Sequence, residues 1–116
     1  VVEKASDIYS IERLGQYTGT YFVLHGVLSP IEGIGPEDIG VDLLLAKLRQ
    51  QPPEELILAL NPTVEGDATA NYLTQKLSSL GLPISRLASG LPMGSELEFA
   101  DQITLGKAFE GRIKLR

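Results

Sequence analysis

Cysteine and tryptophan are both missing from this 116-residue chain, and histidine and methionine each occur once. Without cysteine there is no disulfide framework, no thiolate nucleophile and no cysteine-based zinc site. That absence suits a reducing compartment. Aromatic residues reach only 6% and are all Phe or Tyr, so the core must be mostly aliphatic. Excess positive charge is missing too, since 10 Lys and Arg against 15 Asp and Glu leave a formal net charge of −5. Such a surface repels a phosphate backbone at long range and disfavours general nucleic-acid binding. No apolar run reaches the length of a membrane span, and no signal-peptide pattern is present. The G-x-x-x-x-G-K-[ST] phosphate loop is absent as well.

What remains describes one ordinary globular domain, with 43% hydrophobic and 22% charged residues. Its organising stretch is Leu56-Ile57-Leu58-Ala59-Leu60, five apolar residues that read as a strand buried on both faces. Pro62 cannot continue an inner strand, and Thr63 is the first available helix cap. A helix is expected from there to about Leu80, with Ala68, Tyr72, Leu73, Lys76, Leu77 and Leu80 on or beside one stripe. Polar residues therefore collect where a buried strand meets a helix. Open α/β sheets place their sites at that edge.

Upstream, Val1-Val2-Glu3 reads as the last residues of a truncated first strand, in a chain that looks excised from a longer polypeptide. A helix is expected from Ser6 to Leu14, stopped by Gly15. The run Tyr21-Phe22-Val23-Leu24-His25 predicts a second strand. A Gly/Pro loop follows, and then a helix after Glu37 and Asp38 with Val41, Leu44, Leu45 and Leu48 as its stripe. Downstream, Ile84–Ala88 predicts an edge or near-edge strand. Glu96–Phe109 predicts the last helix, with Phe99, Ala100, Ile103, Ala108 and Phe109 turned inward. The tail Arg112-Ile113-Lys114-Leu115-Arg116 alternates basic and apolar residues, as suits an edge strand or a subunit contact. Repeated strand-helix units of this kind predict an α/β domain of three layers around a mostly parallel sheet.

Chemistry-bearing residues each admit two roles. Glu3, Glu65 and Asp67 would approach one another if the first and central strands are neighbours. They could then hold a hard cation or divide acid and base work. Equally, Glu65 and Asp67 sit where acids favour a helix amino terminus. Thr63 serves as a cap and Asn61 as a bridge between loop backbones, or both contact a ligand. Gly66 permits the close approach of another backbone, or of a ligand. His25, at a strand end, is a base or ligand without an accompanying serine nucleophile motif, or simply a hydrogen-bonded structural residue.

Several segments together resemble the carboxyl-terminal region of the bacterial RecR family of recombination mediators. They are Val1-Val2-Glu3, Tyr21–Gly26, Leu28–Asp38, Asn61-Pro62-Thr63-Val64-Glu65-Gly66-Asp67-Ala68-Thr69-Ala70, and Gly90–Asp101. The resemblance implies a Toprim domain, the fold shared with topoisomerases and primases, over residues 1–116 with a basic carboxyl-terminal tail. It further implies an amino-terminal helix-hairpin-helix region and a zinc motif that this chain lacks. Catalytic Toprim proteins place a glutamate after the first strand, which matches Glu3. Their D-x-D pattern falls on Asn61 and Thr63, followed by Glu65, Gly66 and the acid Asp67. Two carboxylates are thus replaced by neutral groups. The departure implies no magnesium-assisted chemistry on DNA and no catalytic residue, leaving at most weak magnesium binding at Glu3, Glu65 and Asp67. A metal-dependent phosphoryl-transfer or nuclease domain, and a purely structural scaffold, are the competing readings.

From the same resemblance come the expected partners. These are other copies of the chain in an assembly at least dimeric, RecO with RecF as a further candidate, and DNA reached through the full-length assembly. Glu3 and Asp7 are the residues expected to meet a protein partner. The implied role is to assist recombinase loading on gapped DNA in the bacterial cytoplasm, at the nucleoid during repair and away from membranes.

Overall fold

The structure is a computed structural model that describes residues 1–116. Helix α1 spans Ser6–Glu12, α2 Pro36–Ile39, α3 Val41–Gln50, α4 Val64–Leu77 and α5 Gln102–Glu110. Strand β1 spans Leu56–Leu58 and β2 Ile84–Arg86. The two strands are parallel, with Leu56 beside Ile84, Ile57 beside Ser85 and Leu58 beside Arg86.

Single bridges widen this pair into a four-segment parallel array. Val2 lies parallel to both Val23 and Ala59. Its N–H donates to the Phe22 carbonyl at 3.0 Å, and its own carbonyl accepts from Leu24 at 2.9 Å. On the other side, the Ala59 N–H donates to Val1 at 2.8 Å. The lateral order is therefore Val23 segment, Val2 segment, β1, β2. The strand predicted over Tyr21–His25 is reduced to a single bridge at Val23, where Val2 alone lies alongside it. Strand β2 has β1 as its only neighbour, which makes it the edge expected from its irregular pattern.

Period-two alternation sends Leu24, Leu56, Leu58 and Leu60 to one face of this array. There they cluster with Ile39, Val41, Leu44 and Leu48, and with Ala70, Leu73 and Leu77 of α4. Each leucine so buried stabilises the fold by roughly 1.5–3 kcal/mol relative to exposure. The stripe predicted for α3 is the one observed, with Leu45 half-buried at its margin. Gly40, at φ +85°, separates α2 from α3, a break made by a left-handed residue that suits glycine.

Helix α4 begins where expected, with Thr63 as its cap, but its buried stripe is rotated. Gly66, Thr69, Ala70, Leu73 and Leu77 are buried, whereas Ala68 and Lys76 are exposed. The central strand also differs from expectation. Ile57 and Ala59 are only half-buried, because the second helical layer covers the sheet thinly. That layer is α1 and α5, neither of which buries a residue fully. Instead of one helix from Glu96, a short 3-10 turn at Leu97–Phe99 precedes α5, which starts after Asp101. The Asp101 carboxylate accepts the Thr104 N–H at 2.8 Å and so fixes that start. Phe99, Ile103 and Phe109 do not turn inward but are 78%, 74% and 68% exposed. Residues 112–116 form no strand within the chain.

Candidate functional site: the carboxyl rim of the sheet

Glu3 directly follows Val2, and Asn61 follows Leu60 one residue beyond the Val2–Ala59 bridge. Because those segments are parallel neighbours, their carboxyl ends lie side by side. The two side chains meet there. Glu3 Oε1 accepts the Asn61 backbone N–H at 2.9 Å, and Glu3 Oε2 accepts the Asn61 Nδ2 amide at 2.9 Å. One residue thus supplies both donors to one carboxylate, a charge-assisted arrangement stronger than a neutral pair.

Asn61 is itself held from below. Its carbonyl accepts the Thr63 N–H at 2.8 Å. Thr63, in extended backbone, then caps α4, its Oγ1 accepting the Gly66 N–H at 2.9 Å. Gly66 is buried against the Asn61 carbonyl. Thr63 is the expected cap, whereas Asn61, expected to bridge loop backbones, instead gives its side-chain amide to the Glu3 carboxylate. Glu65 is exposed, and its carbonyl accepts the Thr69 hydroxyl at 2.7 Å.

Asp67 points elsewhere. Its Oδ2 accepts from Lys107 Nζ at 2.7 Å, and its Oδ1 is paired with the Arg86 guanidinium. The Lys107 hydrogen bond is the main reason this carboxyl is held below the usual carboxylate range. Partial desolvation opposes it and Arg86 reinforces it. Sequence reasoning missed both cations. Arg86 stands 19 residues from Asp67 and Lys107 stands 40 away, and no local pattern announces either contact.

The expected convergence of Glu3, Glu65 and Asp67 does not occur. No group of three metal-ligating side chains comes together anywhere in the chain. A hard cation asks for free carboxylate oxygens, and those of Glu3 and Asp67 already have donors. The residues present do not fit a resident magnesium ion.

Beside this rim, a cleft of about 460 Å³ opens between α1 and α5. Asp7, Ser10 and Ile11 line one wall, while Arg86 and Lys107 reach it from the other side. Asp7 is half-buried, and one of its oxygens accepts the Lys4 N–H at 3.3 Å. Of the two expected partner-binding acids, Asp7 therefore faces open space and Glu3 is engaged internally. His25 is exposed, its backbone N–H donating to the Ile39 carbonyl at 3.1 Å.

Comparison with known proteins gives a consistent result across the chain. Residues 1–88 match the Toprim domain family, and residues 90–113 match the family described as RecR, C-terminal. Recombination protein RecR of Herpetosiphon aurantiacus is 55% identical over 112 residues, which cover 97% of this chain and 55% of that protein. The Carboxydothermus hydrogenoformans protein of the same name is 56% identical over 97% of the chain and 56% of its own length. That of Anaeromyxobacter dehalogenans is 49% identical, over 99% of the chain and 58% of its own length. The chain spans just over half the length of these relatives.

Proposed function

The chain belongs to the Toprim family in the form that RecR proteins carry, and from that premise we propose a noncatalytic assembly and partner-binding domain of a DNA-recombination and repair mediator. The observation that carries this reading is the row of uncovered apolar side chains beyond residue 96. Leu97, Phe99, Ile103, Phe109, Ile113 and Leu115 are all exposed, within the segment that follows the packed sheet. Large apolar side chains left uncovered in one stretch of chain are what an interaction surface would use. Contact with a second copy of the chain would cover it and give an assembly at least dimeric.

The rim supports the noncatalytic half. Its two best-placed acids, Glu3 and Asp67, are each tied to donors within the chain. DNA would be reached through the full-length assembly, since the net charge of −5 here gives little attraction for phosphate. Asp7, at the mouth of the cleft, is the candidate contact for a protein partner such as RecO, with RecF as a further candidate. No helix is long and apolar enough to cross a membrane. A cytoplasmic setting, at the nucleoid during repair, completes the reading.

Light scattering over a broad concentration range tests the assembly half. Self-association is expected, weakened at least tenfold in Phe99→Ser/Phe109→Ser, about 1.4 kcal/mol or more. A folded chain that stays monomeric throughout removes this half of the proposal. Titration with RecO tests the other half. Asp7→Ala is expected to weaken the complex, and an unchanged affinity removes Asp7 from the contact.

A further inference from the structure

Acids gathered at the rim of a sheet repel one another unless a cation lies between them. In the metal-dependent Toprim pattern the rim positions are Glu3 and the two positions held here by Asn61 and Thr63. This chain closes the same rim differently. Both oxygens of Glu3 accept from Asn61, at 2.9 Å each. We propose that Asn61 takes the structural place of a divalent cation, fastening the end of the Val2 segment to the end of β1 so that the rim is locked without metal.

Three observations carry this inference. First, the donors are the backbone N–H and the side-chain amide of one residue, so both oxygens of Glu3 are engaged by a single partner. Second, the Asn61 backbone that sets the position of both donors is held in place. Its carbonyl is bonded to Thr63 at 2.8 Å, and Gly66 packs so closely that even a β-carbon would not fit beneath that oxygen. Third, Asp67, the remaining acid of the pattern with limited exposure, is turned toward Lys107 and Arg86. Glu3 thus has both oxygens already bound by donors and offers a hard cation no free carboxylate oxygen at the rim.

A direct consequence is that one isosteric change should make the rim metal-dependent. Asn61→Asp keeps the backbone donor but replaces the amide with a second carboxylate facing Glu3. The test is the thermal unfolding midpoint of the wild-type chain and of N61D, in chelator, in millimolar magnesium, and in monovalent salt of equal ionic strength. Wild type should not distinguish magnesium from the matched salt. N61D should melt lower in chelator and recover by about 5 °C or more with magnesium, a shift of the size one lost contact produces in a domain this small.

The double variant Glu3→Gln/Asn61→Asp reverses the pair and restores an amide-to-carboxylate bond. It should melt near wild type and ignore magnesium. If N61D does not fold under any of the three conditions, the double variant decides. A folded, magnesium-indifferent double variant supports the proposal, and an unfolded one overturns it. A magnesium-specific shift in wild type would also overturn it, as would an N61D midpoint that equals wild type in chelator or does not respond to magnesium.

Discussion

Gly66 lies directly beneath the carbonyl of Asn61, so close that a β-carbon on the glycine would stand 2.0 Å from that oxygen. No real side chain tolerates that distance, and the neighbour is backbone rather than a flexible tip. The close approach is what lets α4 start immediately under the rim. It also explains why a helix begins with glycine in its first turn, where alanine would otherwise be favoured.

Gly66→Ala therefore sets two effects against each other. Alanine gains about 1 kcal/mol in helix propensity over glycine. Forcing a β-carbon into packed backbone typically costs about 1–3 kcal/mol, and here the overlap is severe. The steric term should win, with a net loss of roughly 2 kcal/mol in chemical denaturation. A more stable G66A variant would mean that the rim is not packed as described.

Thr69 links α4 to the loop that follows the Val23 segment. It is fully buried, donates its hydroxyl to the Glu65 carbonyl at 2.7 Å and accepts the Leu28 N–H at 2.9 Å. Thr69→Val keeps the shape but leaves the Leu28 N–H without its acceptor. The expected cost is about 1–3 kcal/mol. Amide hydrogen exchange should show Leu28 losing protection first, and unchanged protection there would contradict the link.

Asp67 gives the chain an acid-sensitive contact. Its carboxyl pKa is lowered in the folded state, first by the Lys107 hydrogen bond and then by Arg86. A lowered folded-state pKa means that the contact stabilises fully above the unfolded carboxyl's range, near pH 3.9, and is lost as pH falls through the folded value. All three side chains are about a third exposed or more, so solvent screening limits the contribution to about 1 kcal/mol or less. In Asp67→Asn, the stability difference from wild type should shrink below about pH 4. It should also shrink in high salt at neutral pH. A difference independent of both would point to packing rather than charge.

Much of the core was legible because it is written locally. The spacing of Val41, Leu44 and Leu48 turns one face of α3 inward, and the structure buries those three residues. The Thr63 cap follows from a hydroxyl placed just after the proline that ends a strand. Periodicity fails at α5 for an instructive reason. It shows which side of a helix is apolar, not whether anything covers that side, and Phe99, Ile103 and Phe109 remain uncovered.

The pairing of the rim residues was not legible in the sequence. Glu3 and Asn61 are 58 residues apart and meet only because Val2 bridges Ala59. Glu65 and Asp67 look equivalent in sequence, two residues apart in one helical turn. A step of two residues on a helix turns them to different sides. Glu65 ends exposed, while Asp67 reaches Arg86 and Lys107, whose positions depend on β2 and α5.

The most direct test of the rim as a metal-free structural element is a crystal structure of the chain grown in magnesium. Glu3 should still receive both donors of Asn61, and Asp67 should still hold Lys107. An ordered magnesium ion bridging Glu3 with Glu65 or Asp67, with the Asn61 amide displaced, would contradict the account.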